Sequence, residues 1–571
     1  MPSIPRREFL ERVLLGTAAV SAAGCPDVPE RPRFEGYGHR EPVRGGTLMV
    51  WEESRVRLLD PHIAFDAVSG VVVEMLFDSL FGYDFSLKLR PVLAAALPEI
   101  TDEGRSFVVT LKQGTRFHHG RELVAEDVVW SFERMLSKAL ESPGVSYYGA
   151  IVGLDAYREG RSEHVSGIAA LDRYRVRFSL TKADQSFVHT LAMRFAAPMP
   201  REVVEQRGAD FKRNPIGTGA FTLVEWDRGV RLVLARNAIY HQTGLPYLDR
   251  VVLEEGLKRD TAFLRFRNGE VDLVQSMTLS DRRLLKTPGF KPYSAVSSRS
   301  DVFGLCMNAE LAPFDNVHVR RAVAFAIDRE RWARARNFDI RPTGQVLPPN
   351  IAGYDPNLPN LQRFDLAKAK TEMALAGFSN GIPEPVTMWI GESATSRIYG
   401  ELAQSDLAKI GMTLKLKPVS FPVYLEETGK PKTAQILTSG WSMDYPDASN
   451  FLSLMSSATI AERDSVNRAF YHRPELDTLL DRALVETDVE KRTAMYREAN
   501  DFVAREAPWA FFANSQAPEA WAPYVKSYRP HPVYTMYLTE TWLDLPRKRV
   551  ASLDGDAGPG QGVKDARREK V

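Results

Sequence analysis

Two kinds of apolar spacing alternate along this chain. In RSFVVTLKQG (residues 105–114) and RGVRLVLARN (228–237) the apolar residues alternate or run together over strand length, as in a pleated ribbon with one or both faces buried. In AEDVVWSFERML (125–136), NVHVRRAVAFAIDRE (316–330) and DLAKAKTEMALAGF (365–378) they have helical spacing, with Asp, Glu or Asn near each start, so these stretches are predicted helices. Gly and Pro punctuate NPIGTGAF (214–221) and GYDPNLPN (353–360), marking crossovers or linkers. The pattern is α/β without internal repeats.

Length turns that pattern into a multidomain expectation: 571 residues with 44% hydrophobic content suffice for several cores, in two to four domains. With 74 basic and 73 acidic residues the net charge is +1, which gives no overall preference for nucleic acid or an anionic membrane. Any partner must be recognised locally. No internal segment approaches the roughly 20 apolar residues that cross a bilayer, so the body of the chain is expected to be soluble.

The N-terminus differs. Paired Arg6-Arg7 ahead of Phe9-Leu10, a short apolar stretch and small residues before Cys25 make an export signal, too short for a spanning helix. The arginine pair resembles a twin-arginine signal and Ala22-Ala23-Gly24-Cys25 a bacterial lipobox, which makes Cys25 the candidate lipidation site. The alternative is an ordinary secretory signal with an incidental Cys. If Cys25 carries lipid, Cys306 in FGLCMN has no partner and reads as a buried thiol. Residues 26–44, rich in Pro, Gly and charge, read as a flexible tether, and residues 547–571, without aromatics or core periodicity, as a disordered tail.

Catalytic motifs are not found. His118-His119 is the one histidine pair, but neighbours on a strand point to opposite faces and no third ligand stands at metal spacing. There is no HExxH run, Walker-type loop or GxSxG elbow.

A set of motifs in a fixed order does rise above background. SFVVTLKQGTRFHHGRELVAEDVVWSFERML (106–136) is joined by LLDPH (58–62), GTGAFTLVEWDRGVRLVLARNAIYH (217–241), RNGEVDLV (267–274), VRRAVAFAIDRE (319–330), ALAGF (374–378), SGWSMDYPDASNFL (439–452) and REAPWAFFA (505–513). Together they resemble the bacterial extracellular solute-binding proteins of the peptide and nickel transporter family, over residues 45–545, with His119 where the family usually has Asp. The resemblance implies an α/β fold of the type II periplasmic-binding-protein kind, with two lobes and three domains around a hinged cleft. One lobe would combine 45–75, 216–297 and 516–546, an additional domain 76–215 would pack on it, and 298–515 would form the facing lobe.

The resemblance also implies the site. Peptide-binding members place Trp-x-x-Asp at the cleft end of a strand, where the Asp accepts the ligand's terminal ammonium; the matching residues are Trp441 and Asp444. The alternative is that Asp444 caps a turn before Tyr445-Pro446 and Trp441 is core. The loop 51–57 matches the segment that lies against extended peptide, which makes Trp51, Arg55 and Val56 candidates, and Trp389 could line a side-chain pocket. Dipeptide-binding relatives carry an Arg and an aromatic after the strand corresponding to VTMWIGES to clamp the ligand's carboxylate; Gly391-Glu392-Ser393 stands there. Longer peptides held by their backbone remain compatible.

The expectation is therefore an exported, lipid-anchored, monomeric receptor that delivers a peptide-like solute to an ABC permease. It needs no cofactor or metal and performs no chemistry. An oligosaccharide receptor using Trp51, Trp389 and Trp441, or an exported hydrolase, are the alternatives.

Overall fold

In the computed structural model, which describes residues 41–275, 277, 283 and 285–545, the patterned stretches form their expected element types. Cys25, the paired arginines, most of the proposed tether and the tail lie outside the described residues. The signature stretch folds as the strand Ser106–Thr110, a turn, and the helix Ala125–Leu136. That helix buries Val128, Phe132, Met135 and Leu136 at three- and four-residue intervals, each worth about 1.5–3 kcal/mol relative to exposure. Asp127 pins its start: the carboxylate accepts from Val124 N at 3.0 Å and takes two hydrogen bonds from Arg121 at 2.9 and 2.7 Å. In the turn, His118 Nδ1 accepts from Gly217 N at 3.2 Å and Nε2 donates to Gly219 O at 3.1 Å. Burial lowers its pKa to about 4, so the ring is neutral.

One predicted helix is divided. NVHVRRAVAFAIDRE becomes Val317–Ala326 and Arg329–Ala335, because Asp328 accepts from Arg331 N at 2.9 Å and so caps a second start. The Arg329 guanidinium occupies the end of the first helix, donating to Ala324 O and Ile327 O at 3.1 Å each. Burial lowers its pKa to about 9, which still leaves it charged at neutral pH.

Two sheets organise the larger units. Thr47–Glu52 runs parallel to Arg250–Glu255, which pairs antiparallel with Arg231–Arg236, and that strand pairs antiparallel with Phe221–Asp227. The second sheet has the order Leu273–Gln275, Trp509–Trp521, Asp301–Met307, Ile436–Ser442, Val386–Gly391, Leu414–Val419, with Ser294–Ser298 and Ile340–Pro342 also paired to its longest strand. A smaller antiparallel sheet, Glu99–Thr101, Ser106–Thr110, Arg175–Ser179 and Ile168–Asp172, carries the signature helix.

The long strand Trp509–Trp521 joins two bodies of the molecule. Its first part pairs with Asp301–Met307 and its last part with Ser294–Ser298 and Leu273–Gln275. At the change of partner Arg299 N donates to Ser515 O at 2.9 Å and Ser515 N to Asp301 Oδ1 at 2.7 Å. Hydrophobic cores lie on both sides. One combines residues from 48–77, 197–253 and 522–543, and a second draws on 80–196. Two more draw on 302–513, and a small fifth gathers around Phe263 and Phe266. Among the described residues no helix is long and apolar enough to cross a membrane.

Candidate ligand-binding site

A cavity of about 1100 Å³ opens between these bodies. Its walls come from helix Ala67–Leu76 and the segment after it, from 192–195, from the joining residues 297–301, from the end of strand Ile436–Ser442 and from the loop 530–539.

The strand Ile436–Ser442 enters from the core, with Ile436 and Leu437 buried, and emerges at Gly440. There it pairs with Phe303, and a Cβ on Gly440 would lie 2.5 Å from the Phe303 ring, so only glycine lets the strand pass. Beyond it the chain turns and Asp447, accepting from Ser449 N at 2.9 Å, caps the short helix Ala448–Leu452. That helix presents Asn450, 3% exposed. Asn450 Oδ1 accepts from Trp441 Nε1 at 3.0 Å and Asp444 N at 3.1 Å, while its Nδ2 donates to Asp444 Oδ2 at 3.1 Å. One amide therefore holds both the indole and the carboxylate at the cavity wall.

From the opposite body Tyr147 comes close enough to the Asp444 carboxylate to act on its pKa. Burial raises the Asp444 pKa, opposed by Asn450, Tyr147 and the more distant Arg194. Among the described residues no base lies within ion-pair distance of it. The stretch SGWSMDYPDASNFL thus serves two purposes: Asp447 is the structural corner, bound by Arg492 Nη2 at 2.7 Å and Tyr496 OH at 3.0 Å, and Asp444 faces the cavity.

The remaining sequence candidates stand away from the cavity lining. Trp51 is 7% exposed among Phe263, Phe266 and Val274, because its sheet is covered on both faces and alternation from Val50 carries it into the small fifth core. Val56 is buried, its N–H donating to Glu255 Oε1 at 2.7 Å, and the exposed Arg55 lies against Gly229. Trp389 is 6% exposed in the core with Leu437 and Trp509, and Lys417 Nζ covers its ring at 3.5 Å. Its strand lies between two others, so an aromatic there packs instead of facing solvent.

In and behind the cavity wall stand residues that the motifs did not single out. Tyr147 ends the short 3-10 helix Pro143–Tyr147 that follows the signature helix, and Asn450 stands six positions after Asp444, a spacing with no meaning until the turn is folded. Arg194 Nη2 meets Glu74 Oε1 at 3.2 Å, passing over Gly70, where any Cβ would collide with the guanidinium. At the joining strands the acids Asp301 and Glu519 line the cavity with pKa values raised by burial, near Arg299. Neighbouring Glu52 is raised to about 7 by burial, against the charge of Arg299. Among the described residues no group of three or more His, Cys, Asp or Glu could hold a metal ion.

Known proteins share this arrangement. The chain is 29% identical to heme-binding protein A of Haemophilus influenzae over 467 residues, covering 78% of this chain and 82% of that protein. It is 26% identical to the glutathione-binding protein GsiB of Salmonella typhi, covering 81% and 88%. Among solved structures, a clavulanic acid biosynthesis oligopeptide binding protein 2 superposes with TM-score 0.80 at 24% identity, covering 88% of this chain and 96% of that one. The Helicobacter pylori periplasmic binding protein DppA, in complex with the peptide STSA, does so with TM-score 0.71 at 26% identity, covering 88% and 99%. Residues 88–462, more than half of the chain, match the family described as "Bacterial extracellular solute-binding proteins, family 5 Middle". The two-bodied α/β fold with a cavity between its parts and the family match agree: this chain belongs to the bacterial extracellular solute-binding proteins of family 5.

Proposed function

We propose that this protein is the receptor of an ABC importer and that its solute is peptide-like, with a free amine held at Asp444. The observation that carries this reading is the Asp444 carboxylate itself. It lines the cavity, burial raises its pKa, its position is set by Asn450, and no base pairs with it among the described residues. A buried carboxylate without a counter-ion is completed by a ligand cation, whose ammonium makes charge-assisted hydrogen bonds about twice as strong as neutral ones. The relatives named for glutathione and oligopeptides support the class of ligand.

In this reading 298–515 closes on the rest of the molecule through the two joining segments at Arg299-Ser300 and in Trp509–Trp521, with 45–75, 216–297 and 516–546 as one lobe and 76–215 packed on it. Export through the arginine-pair signal, lipid attachment at Cys25 and a monomeric receptor without catalytic activity complete it. Of the three tryptophans on which a sugar reading depends, only Trp441 lines the cavity, which leaves that reading with less support. A heme reading has one specific observation behind it, the name of the relative at 29% identity.

The test starts by exposing the purified protein to a pool of tri- to pentapeptides and identifying retained members by native mass spectrometry. A retained peptide is then titrated calorimetrically, with its amine free or acetylated, into wild type and Asp444→Asn. Either change is expected to weaken binding by about 2–5 kcal/mol, roughly 30- to several-thousand-fold, and the second to add little to the first. Losses that add independently would remove Asp444 from the amine site. Heme has no ammonium, so binding of heme that is indifferent to Asp444→Asn, with no peptide retained, would favour the second reading.

A further inference from the structure

Opposite the strand that carries Trp441, the cavity has a wall of different chemistry. Arg90 lies on the short strand Leu89–Pro91, and its guanidinium lines the cavity beside Phe85 and the loop 530–539. Two of its donors are engaged: Nη2 gives a hydrogen bond to Tyr537 OH at 2.8 Å and Nε one to Tyr83 O at 3.3 Å. Neither acceptor is charged. Asp84 and Glu540 act on the guanidinium only from beyond ion-pair distance, and among the described residues no carboxylate lies within 4 Å of it.

The wall around it is a packed aromatic block. His531 lies 4.6 Å from both Phe85 and Tyr534, ring centroid to centroid, and Tyr534 lies 5.8 Å from Tyr537. Arg529 covers Phe85 at 3.6 Å. Burial lowers the His531 pKa to about 4, so this ring is neutral and the cation that the wall offers to the cavity is Arg90. A guanidinium oriented by two neutral acceptors, partly desolvated and lacking a carboxylate, has the planar donor geometry that recognises an anionic oxygen pair.

Resting on the peptide reading above, we propose that Arg90, with Phe85 and the loop 530–539, forms a second subsite that takes a carboxylate of the ligand. It supplies from the body containing residues 80–196 the charge that Gly391-Glu392-Ser393 does not supply from the other. A peptide anchored by its amine at Asp444 and by a carboxylate at Arg90 touches both bodies and holds them together. The carboxylate is either the peptide's C-terminus or an acidic side chain, and peptide chemistry separates these sources.

The experiment uses the full mature protein and four pools of tri- to pentapeptides with free amines: free-acid peptides, C-terminal amides, free-acid peptides lacking Asp and Glu, and amides lacking Asp and Glu. Retention is read by native mass spectrometry and affinity by competition. Wild type is expected to prefer carboxylate-bearing peptides over the fully neutral pool by about 10- to 100-fold, the range of one charged hydrogen-bonded contact. Arg90→Gln should abolish that preference while binding of the neutral pool, and its dependence on the amine, persist. Tyr537→Phe, which removes the acceptor that orients Arg90, should reduce the preference without abolishing it, and it carries the test if Arg90→Gln does not fold. A preference lost on amidation assigns the C-terminus; one lost only without Asp and Glu assigns a side chain. The proposal is overturned if wild type takes the neutral pool as readily as the acids, or if the carboxylate preference survives both substitutions. If wild type retains no pool, the peptide reading itself fails and this subsite with it.

Discussion

Asn450 does not itself line the cavity, yet it sets the position of two groups that do. Its single amide satisfies Trp441 Nε1, Asp444 N and Asp444 Oδ2. Asn450→Ala would remove the partner of a part-buried indole N–H and a part-buried backbone N–H, each bond worth about 0.5–1.5 kcal/mol. The expected outcome is a lower melting temperature together with weaker binding of an amine-bearing peptide. The affinity loss should largely disappear when the same substitution is made in Asp444→Asn, because a positioning residue has nothing left to position. A loss of equal size in both backgrounds would assign Asn450 to the fold alone.

At the scale of elements, the LLDPH segment ties the loop after strand Thr47–Glu52 to the signature helix. Arg134, in that helix, reaches Asp60 Oδ2 at 2.6 Å and donates from Nη1 to His62 Nδ1 at 3.0 Å, while His62 Nε2 donates to Ala197 O at 3.1 Å. Burial, then the charge of Arg134, lowers the His62 pKa from 6.5 to about 4, against Asp60. The folded state therefore holds the neutral ring, and its stabilising contribution is complete above pH 6.5 and lost as pH falls toward 4. At about 1.4 kcal/mol per pH unit the loss amounts to about 3 kcal/mol. His118 and His531, both lowered to about 4, act in the same direction. Glu52, raised from 4.5 to about 7, acts in the opposite one, contributing below 4.5 and losing its contribution as pH rises through 7. The buried carboxylates Asp301, Asp444, Glu519 and Glu74, also raised by burial, act on the side of Glu52, so the test isolates His62 by comparing denaturant midpoints of wild type and variant at each pH. His62→Gln should be less stable than wild type at pH 7, with the difference narrowing toward pH 4.5. A constant difference across that range would refute the linkage.

For the whole molecule, the two bodies already touch along one edge of the cavity. The His189 ring lies between Tyr83 and Tyr445, its centroid 6.0 and 6.2 Å from theirs, and Gln185 N donates to Leu484 O at 2.8 Å. Asp447, the cap of the Trp-x-x-Asp corner, lies 3.9 Å from His189 Nε2, so the segment that presents Asp444 also takes part in this contact. A ligand that meets groups from both bodies favours the closed arrangement by its differential affinity. Solution scattering should show a smaller radius of gyration with a bound peptide than without. An unchanged profile at saturation would mean that binding does not draw on this motion.

Local pattern was enough for the elements, because apolar spacing and cap residues act within a few positions of one another. It supplied the strand and helix of the signature, the α/β class and the start of each assigned helix, with Asp328 dividing one predicted helix in two. The motif order was enough for the family and pointed to Trp441 and Asp444, which both line the cavity because that turn is short and its geometry is set by near neighbours. Whether an aromatic elsewhere is pocket or core is a different question. Trp51 and Trp389 read like Trp441 in one dimension, but their strands are covered on both faces and only the packed sheets decide that. The other residues that line the cavity with Asp444 come from distant parts of the chain: Arg194, Arg90 and the loop 530–539 share its wall only when the bodies face each other. Short-range chemistry was legible in the sequence; long-range juxtaposition was decided by tertiary structure, because it depends on how separate cores dock and not on the order of residues within any one of them.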